Sequence, residues 1–396
     1  MPNKRTAIIT HFHASLNYGG VLQSYALTHL LNTRRYSAEQ LRYLQSSNRP
    51  QESLITRFLH GKIEGLSLKK VLAFGVSCLS FPFRTFLQKR FVHPRIDRRR
   101  KNFDAFNAHA IPSSKEYTMQ SISAAADAYD IFISGSDQVW NPNWFHPPYY
   151  LHFVPDNKPK IAYAASTAVS SLSDEQYAKM APLVARFDAI SVREENAVEL
   201  LKGMTDKKIS WVLDPTLLLS REEWSNLAGT ERRIKEPYVA AYILGDNKAN
   251  RKAVQRFAKN KNLPLVTFPF VGTTKLWQLS FGDKHCYGGP DEFVSLIRDA
   301  EYVLTDSFHA VVFSTIFHKR FVVLKRNADS DKASMNERLY SLFKITGMEH
   351  QLCSPDEIDA RIEEVNYEGV DERIAVRREE SIAWLMRAME GCKKSE

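Results

Sequence analysis

Arg193 stands where a fixed cation could bind an anionic ligand. It directly follows the apolar run Ala189–Val192, which predicts a strand, and precedes Glu194–Lys202, which predicts a helix. At such a junction the guanidinium lies beside the N–H groups of a helix N-terminus, and this combination suits a phosphate or a carboxylate. The alternative is a salt bridge from Arg193 to Glu194 or Glu195, and the residues favour both interpretations equally.

A pair of glycines marks a second candidate site for an anion. Gly19 and Gly20 lie between the predicted strand Ala7–Thr10 and the amphipathic helix Gly19–Leu31. Glycine at a strand-to-helix turn lets backbone N–H groups approach a ligand, and the helix N-terminus favours negative charge. The alternative is a tight turn that needs glycine only for its shape.

A polar and aromatic loop predicts contacts with a sugar. The apolar run Asp130–Ser134 indicates a buried strand, and Gly135–Pro142 follows it. Asp137 and Gln138 could hold sugar hydroxyls, and Trp140 offers a flat face for a sugar ring. The alternative is that Asp137 caps a short helix while Trp140 fills the core.

His309 is expected at the same kind of strand end. Tyr302–Leu304 has the pattern of a short buried strand, Ala310–Phe317 that of an apolar helix, and Phe321–Leu324 that of the next strand. In open α/β sheets, ligands bind at loops that follow the carboxyl ends of strands. The first turn of this helix would therefore direct the His309 imidazole into a ligand-binding crevice.

The elements that carry these residues alternate regularly between strand and helix. Such alternation predicts α/β architecture with parallel sheets, and a polar stretch at 229–236 interrupts it once. We expect two Rossmann-like domains that face each other across a cleft. The first covers residues 1–229, with a basic and apolar helical insertion at about 52–110, and the second covers 230–370. A charged helix over 371–396 would cross back onto the first domain.

The charge of the chain favours anionic partners. Its formal net charge is +9, and between Arg84 and Lys101 eight residues are Lys or Arg while only Asp97 is acidic. Because the apolar run Val71–Phe83 precedes this basic stretch, residues 68–101 could contact an anionic membrane surface. The alternative is a core helix followed by a solvated basic linker.

The cysteines and the apolar runs predict a cytoplasmic location. The four cysteines are widely spaced, which argues against a disulfide framework and against a structural zinc site. The first residues lack the apolar core of a signal peptide, and no uncharged apolar run has the length of a membrane span. We expect a cytoplasmic protein with no bound metal.

The loop motifs, taken in order, resemble those of the polysaccharide pyruvyl transferase family. They are Asn17-Tyr18-Gly19-Gly20, Gln23-Ser24-Tyr25-Ala26-Leu27, Gly135-Ser136-Asp137-Gln138-Val139-Trp140-Asn141-Pro142, Tyr163-Ala164-Ala165-Ser166, Ser191-Val192-Arg193-Glu194, Asp214-Pro215-Thr216, Gly289-Pro290, Asp306-Ser307-Phe308-His309 and Asn336-Glu337-Arg338-Leu339. Each motif is weak alone, but together they keep the order of the family over about residues 7 to 346.

The resemblance implies a glycosyltransferase-B-like arrangement with the active site between the two domains. It implies transfer of the enolpyruvyl-derived group of phosphoenolpyruvate to a sugar diol, with formation of a pyruvate ketal and release of phosphate. The acceptor would be a cell-surface glycan or its lipid-linked precursor, presented at the inner face of the membrane. Phosphoenolpyruvate would be a co-substrate, with no resident cofactor and no nucleic-acid partner.

The resemblance also implies a role for each site residue. His309 would act as the acid or base, and Arg193 would be the main group that binds the donor anion. Asp137 would hold the acceptor or complete the catalytic site. Substrate contacts would come from Asn17, Gly19, Gly20, Ser136, Gln138, Trp140, Asp306, Ser307, Lys325, Arg326 and Arg338. Asp306 and Ser307 would position His309.

One departure from the family concerns a missing cation. Better-characterised relatives carry an Arg two residues before the histidine, where this chain has Ser307. Arg320, Lys325, Arg326 or Arg338 could replace it.

Two other functions stay open on sequence grounds: a glycosyltransferase of similar architecture that uses a nucleotide sugar, and a non-catalytic protein that binds glycans or membranes.

Overall fold

Two parallel β-sheets organise the chain. The computed structural model describes residues 4–45, 88–269, 280–326 and 336–391. The strands are β1 Arg5–Ile9, β2 Ser37–Tyr43, β3 Ser113–Tyr117, β4 Ile131–Ser134, β5 Lys160–Ala165, β6 Ala189–Val192, β7 Ile209–Trp211, β8 Val239–Tyr242, β9 Leu265–Thr267, β10 Lys284–His285, β11 Tyr302–Thr305, β12 Arg320–Leu324 and β13 Leu352–Cys353.

The strand order in both sheets is that of a doubly wound α/β fold. Within the described ranges, the first sheet has seven strands in the order β3-β2-β1-β4-β5-β6-β7, and the second has six in the order β10-β9-β8-β11-β12-β13. All paired strands are parallel. The central strands β4, β5, β8 and β11 are buried along their whole length, because helices cover both faces of each sheet.

Helices connect the strands and cover the sheets. They are α1 Tyr18–Thr33, α2 His93–Ala110, α3 Asp174–Val184, α4 Glu195–Leu200, α5 Arg221–Ala228, α6 Lys248–Asn260, α7 Pro290–Asp299, α8 Phe308–Ile316, α9 Glu337–Thr346, α10 Ile358–Arg361 and α11 Val370–Gly391. Capping side chains determine where two of these helices begin. Ser173 and Ser220 are the N-cap residues of α3 and α5, and each forms a capping box with a residue of the first helical turn. Helix α8 is buried on every side, because α1 of the first half packs against it as well as its own sheet.

The C-terminal helix α11 returns to the first half of the molecule. The Ser381 hydroxyl accepts a hydrogen bond of 3.0 Å from the backbone N–H of Leu213. Two arginines of the same helix donate to carbonyls of the first half, Arg377 to Trp211 at 3.0 Å and Arg378 to Leu217 at 2.7 Å. The predicted fold class, two facing Rossmann-like halves with a helix that crosses back, is confirmed.

Arg99 joins the two halves from helix α2. Its guanidinium donates to the carbonyl of Leu16 in the first half, at 2.9 Å, and to the carbonyl of Pro269 in the second half. The same group lies 4.1 Å from the ring centre of Tyr18, and its side chain is almost fully buried. This member of the basic run therefore has a structural role, which differs from the expected solvated or membrane-facing role.

The rest of the predicted basic and apolar insertion lies largely outside the described residues. Residues 46–87 are among those not described, and these include Val71–Phe83. Contact of 68–101 with a membrane stays a prediction, as do the limits of the domains. Among the helices that are described, none is both long and apolar enough to cross a bilayer.

Candidate active site

The candidate active site lies where the carboxyl ends of the two sheets face each other. From the first half, His11 follows β1, Asp137 follows β4, Arg193 and Glu194 follow β6, and Asp214 comes shortly after β7. From the second half, His309 follows β11, Arg326 follows β12 and Arg338 lies in the first turn of α9. Parallel strands place their carboxyl ends along one edge, so loops that are distant in sequence meet there. The predicted residues Asp137, Arg193 and His309 are among those brought together.

Gly19 provides the space for the His309 imidazole. A Cβ atom on residue 19 would lie 1.9 Å from Nδ1 of His309, so no other residue type fits at this position without movement. The backbone N–H of Gly19 is already bonded to the Asn17 side chain, whose oxygen accepts it at 3.1 Å and caps helix α1. This N–H is therefore occupied in the structure, and binding of an anion at the glycine pair stays a prediction. The glycine allows contact between the two halves.

At position 20 a different neighbour leaves no space for a side chain. A Cβ atom here would lie 2.7 Å from the backbone oxygen of His11, and 3.4 Å from a carboxylate oxygen of Asp137. Gly20 belongs to the first turn of helix α1 and does not have a positive φ. The predicted tight turn is therefore wrong. Glycine is required at position 20 because neighbouring atoms leave no space for a Cβ atom.

Asp214 is the carboxylate that faces His309. Its Oδ2 lies 3.7 Å from Nε2 of His309, 2.8 Å from a terminal nitrogen of Arg193 and 3.2 Å from the Ser136 hydroxyl. Its other oxygen accepts from the backbone N–H and the hydroxyl of Thr216, at 2.9 and 2.6 Å. Burial raises the pKa of Asp214, but His309 and Arg193 outweigh it and hold that pKa well below its usual range. The carboxylate is therefore ionised.

Arg193 lies at the centre of a buried charge cluster. Its guanidinium contacts Asp214 at 2.8 Å, and Asp137 and Glu194 at 3.5 Å each. Burial lowers the pKa of Arg193, but these carboxylates raise it above its ordinary value. The salt bridge to Glu194 is present, whereas Glu195 pairs with Lys344 on the protein surface. The role of Arg193 as a donor clamp stays a prediction.

Asp137 has a strained backbone. Its φ of 66° and ψ of −170° lie in a region that is occupied almost only by glycine, and such strain costs about 1–3 kcal/mol. The Asp137 carbonyl accepts from the N–H groups of Val139 and Ser166, at 2.8 and 3.0 Å, which holds this conformation. Burial raises the pKa of Asp137, but Arg193 and His309 lower it below its usual value. Strain of this kind concentrates at functional sites.

Asp306 and Ser307 are predicted to position His309, and the described hydrogen bonds show other partners for the Asp306 carboxylate. The two carboxylate oxygens of Asp306 accept from the backbone N–H groups of Leu244 and Gly245, at 2.8 and 2.7 Å. Asp306 therefore fixes the loop after β8. Ser307 begins helix α8, but its hydroxyl does not bond to the helix N-terminus. Asp214, which the sequence marked only as part of a motif, is the residue that faces the imidazole.

The candidate cations of the second half differ in position. Arg338 is buried, and its pKa is lowered to about 10 by that burial and by the charge of Arg193, with a smaller effect from Arg326. Arg326 donates to the carbonyl of Asp306 at 2.9 Å. Lys325 is exposed after β12, whereas Arg320 begins β12 and so lies at the opposite edge of the sheet. Arg320 is therefore excluded as a replacement for the missing arginine.

Trp140 does not offer a face to a sugar. Its ring is fully buried, stacked on Tyr150 at 5.4 Å and in edge contact with Phe187 at 5.1 Å. The prediction of a sugar-binding Trp140 is wrong, and the alternative of a core tryptophan is confirmed. The amide oxygen of Gln138 accepts from Asn141 at 3.0 Å, which fixes this loop from inside.

Comparison with solved structures supports the fold alone. The structure of UDP-N-acetylglucosamine 2-epimerase from Rickettsia bellii is similar with a TM-score of 0.51 and 9% identity, covering 99% of this chain and 98% of that chain. The UDP-GlcNAc 2-epimerase from Neisseria meningitidis, bound to UDP-GlcNAc, has a TM-score of 0.45 and 10% identity, with 97% of this chain and 100% of that chain covered. No curated protein matches the sequence.

Comparison with protein families gives a more specific result. The sequence model of the family described as polysaccharide pyruvyl transferase matches residues 17–327. This range contains Gly19, Asp137, Arg193, Asp214 and His309, the residues that meet in the cluster, and it covers most of both halves. The chain therefore belongs to the polysaccharide pyruvyl transferase family.

Proposed function

We propose that this protein transfers the enolpyruvyl-derived group of phosphoenolpyruvate to a sugar diol and forms a pyruvate ketal. The acceptor would be a cell-surface glycan or its lipid-linked precursor. One observation carries the proposal: His309 meets the ionised carboxylate of Asp214 within a buried cluster of arginines and carboxylates, between the two halves. This reaction needs an acid for the donor carbon and cations for its phosphate and carboxylate.

Unpartnered nitrogens in the cluster support an anionic ligand. Among the described residues of this cluster, three buried side-chain nitrogens have no hydrogen-bond partner: Nη2 of Arg193, Nε2 of His309 and Nε of Arg326. Buried polar groups are rarely left without a partner, so such atoms call for a ligand or water. Phosphoenolpyruvate has a phosphate and a carboxylate, and both are strong acceptors for charged donors.

Arg338 best replaces the arginine that this branch of the family lacks. It is buried, and the charges of Arg193, Asp137 and Arg326 all act on it. Burial, with a further contribution from Arg193 and Arg326, lowers its pKa to about 10, and a bound anion would offset this cost of the buried charge. Arg338 and Arg326 would then hold the donor, while the carboxylates around Arg193 hold that guanidinium in place.

In the proposed reaction His309 both donates and accepts protons. Protonated His309 would deliver its proton to the methylene carbon of phosphoenolpyruvate, which makes C2 electrophilic. The first sugar hydroxyl forms a bond to C2 and gives its proton to the imidazole, so the acid is restored. The C2–O bond to phosphate then breaks, phosphate leaves with the bonding electrons and that proton, and the second hydroxyl closes the ketal. The second hydroxyl's proton returns to His309.

Asp214 would support these steps without exchanging a proton itself. Because its pKa lies well below the usual range, it stays ionised and keeps a negative charge beside His309 at each stage. Cations near the leaving phosphate would stabilise its developing charge. A membrane-linked acceptor would require access to the inner face of the membrane, and contact through 68–101 would provide it.

Ligand-dependent thermal stability tests the donor. A ligand that binds only the folded state raises the stability by about 2.7 kcal/mol at a concentration of 100 times its Kd. We expect phosphoenolpyruvate to raise the melting temperature, and UDP-glucose and GDP-mannose to leave it unchanged. Stabilisation by a nucleotide sugar alone would instead identify a glycosyltransferase, and no stabilisation by any of them would favour a non-catalytic protein.

A single substitution tests the mechanism. We expect His309→Ala to reduce phosphate release from phosphoenolpyruvate by about 10²–10⁴-fold in the presence of an acceptor panel. The stabilisation by phosphoenolpyruvate should be retained, because the arginines remain. His109→Ala, at an exposed position of α2, is the matched control and should have no effect. Turnover by His309→Ala at the wild-type rate would remove His309 from the mechanism.

A further inference from the structure

A large groove opens beside the charge cluster in the first half. It has a volume of about 1170 Å³, and its described walls come from the segments after β1, β2, β3 and β4 and from the start of α3. This volume exceeds the ~300–1,000 Å³ typical of pockets for small ligands. The groove therefore has room for more than one sugar residue.

The chemistry of the groove differs from that of the charge cluster. Among its described lining residues the fixed charges are Glu175 and Lys179, and these pair with each other at 2.6 Å. Burial lowers the pKa of His11 and of His146, which favours their neutral forms. The remaining walls are mainly amides and apolar or aromatic side chains. Such a surface suits a neutral polar ligand and does not suit phosphoenolpyruvate.

Trp144 presents an aromatic face to this groove. Its side chain is 49% exposed, in contrast to the buried Trp140 of the same loop. The Asn141 side chain caps the short 3-10 turn Pro142–Trp144 by accepting from the N–H of Asn143 at 3.0 Å, and the Trp144 N–H donates to the Asn141 carbonyl at 3.0 Å. The indole is thus held outwards by a fixed turn. The apolar face of a pyranose ring stacks on such a surface.

His11 connects the groove with the charge cluster. It lines the groove, and its ring contacts Tyr149 edge-on at 4.4 Å. On its other side it lies close enough to Asp137 for each group to shift the pKa of the other. A ligand in the groove that reaches His11 therefore reaches the edge of the site where His309 lies.

We propose that this groove binds the neutral glycan part of the acceptor, an oligosaccharide of at least two sugar residues. Trp144 stacks on one pyranose ring, and His11 marks the end where the diol meets the donor. This proposal rests on the proposed function. It divides the substrates by charge: the anionic donor binds among the arginines, and the uncharged acceptor binds along the groove.

Binding of neutral disaccharides tests the proposal. The probes are maltose, cellobiose, lactose and melibiose, all with free 4- and 6-hydroxyls on the terminal ring, measured by saturation-transfer NMR with and without phosphoenolpyruvate. We expect at least one to bind the wild type, and Trp144→Ala to weaken it about tenfold. Trp144→Phe should restore most of the affinity. Val376→Ala, which removes another exposed apolar side chain on α11, is the matched control and should bind like the wild type.

The outcomes separate this proposal from the donor chemistry. Thermal stabilisation by phosphoenolpyruvate should be equal in all four proteins, because the groove does not include the arginines. If phosphoenolpyruvate stabilises them but no disaccharide binds the wild type, or if Trp144→Ala binds equally well, the groove is not the acceptor site. If disaccharides bind through Trp144 while phosphoenolpyruvate does not stabilise the protein, the groove is confirmed as a glycan-binding site and the proposed donor is wrong.

Discussion

A methyl group on residue 19 would occupy space that the His309 imidazole needs. In Gly19→Ala the new Cβ would lie 1.9 Å from Nδ1, 2.3 Å from Cγ and 2.5 Å from Cε1 of that ring. Carbon atoms in ordinary contact are ~3.5–4.0 Å apart. The ring must therefore move by about 1.5 Å, or the two halves must separate by a similar distance.

The expected loss falls mainly on activity. A misplacement of about 1 Å can reduce a rate ~100-fold, so we expect kcat to fall at least that far. Overpacking costs about 1–3 kcal/mol of stability, and the better helix propensity of alanine in the first turn of α1 offsets about 0.5–1 kcal/mol. The free energy of unfolding should therefore fall by no more than about 2.5 kcal/mol.

Initial rates of phosphate release and urea unfolding measure the two effects. Gly391→Ala is the matched control, because a Cβ there meets nothing within 4 Å and leaves the site untouched. If Gly19 acts through the imidazole, the double variant Gly19→Ala/His309→Ala should be no slower than His309→Ala alone. Near wild-type kcat in Gly19→Ala, or a much slower double variant, would refute this reasoning.

Three further substitutions test other parts of the structure. Asp214→Asn should slow phosphate release on the order of 100-fold while phosphoenolpyruvate still stabilises the protein, since the charge beside His309 and Arg193 is lost but the arginines remain; lost stabilisation would instead place Asp214 in donor binding. Arg99→Met should lower the free energy of unfolding in urea by about 3 kcal/mol, because two carbonyls lose their donor, whereas the exposed Arg100→Met should change it by less than ~0.5 kcal/mol. Asp137 is more acidic in the folded chain than its unfolded value of ~3.9, so its ionised form stabilises the fold above about pH 4 and this contribution is lost as the pH falls through the folded pKa. The advantage of the wild type over Asp137→Asn in urea unfolding should therefore shrink from about pH 5 to about pH 3, and a constant difference would contradict the lowered pKa.

The sequence predicts the positions of the loops better than the contacts between them. Asp137, Arg193 and His309 each follow an apolar run, and parallel strands bring such positions to one edge, so their proximity could be anticipated. The contact of Gly19 with His309 could not, because it depends on how the two halves dock. The pairing of Asp214 with His309 joins different sheets in the same way, and only the family motif singled out Asp214.

Polar strands and short turns are the other features that the sequence pattern does not predict. The strands β2, β3, β10 and β13 give no clear strand pattern; three of them lie at sheet edges, where fewer neighbours require apolar side chains. Trp140 and Trp144 belong to one loop, and their residue type alone does not show which is exposed. Two successive 3-10 turns place Trp140 in the core and Trp144 in the groove.

The return of helix α11 to the first half affects how the protein can turn over. The chain passes between the halves once before β8 and again before α11, so a hinge motion that opens the cleft would have to bend both connections. His309 belongs to one half and Asp214 to the other, so any rotation that opens the cleft separates the imidazole from its carboxylate. The same movement would then release the product and separate His309 from Asp214. An open cleft that admits water would lack the assembled acid, and this would protect phosphoenolpyruvate from wasteful hydrolysis.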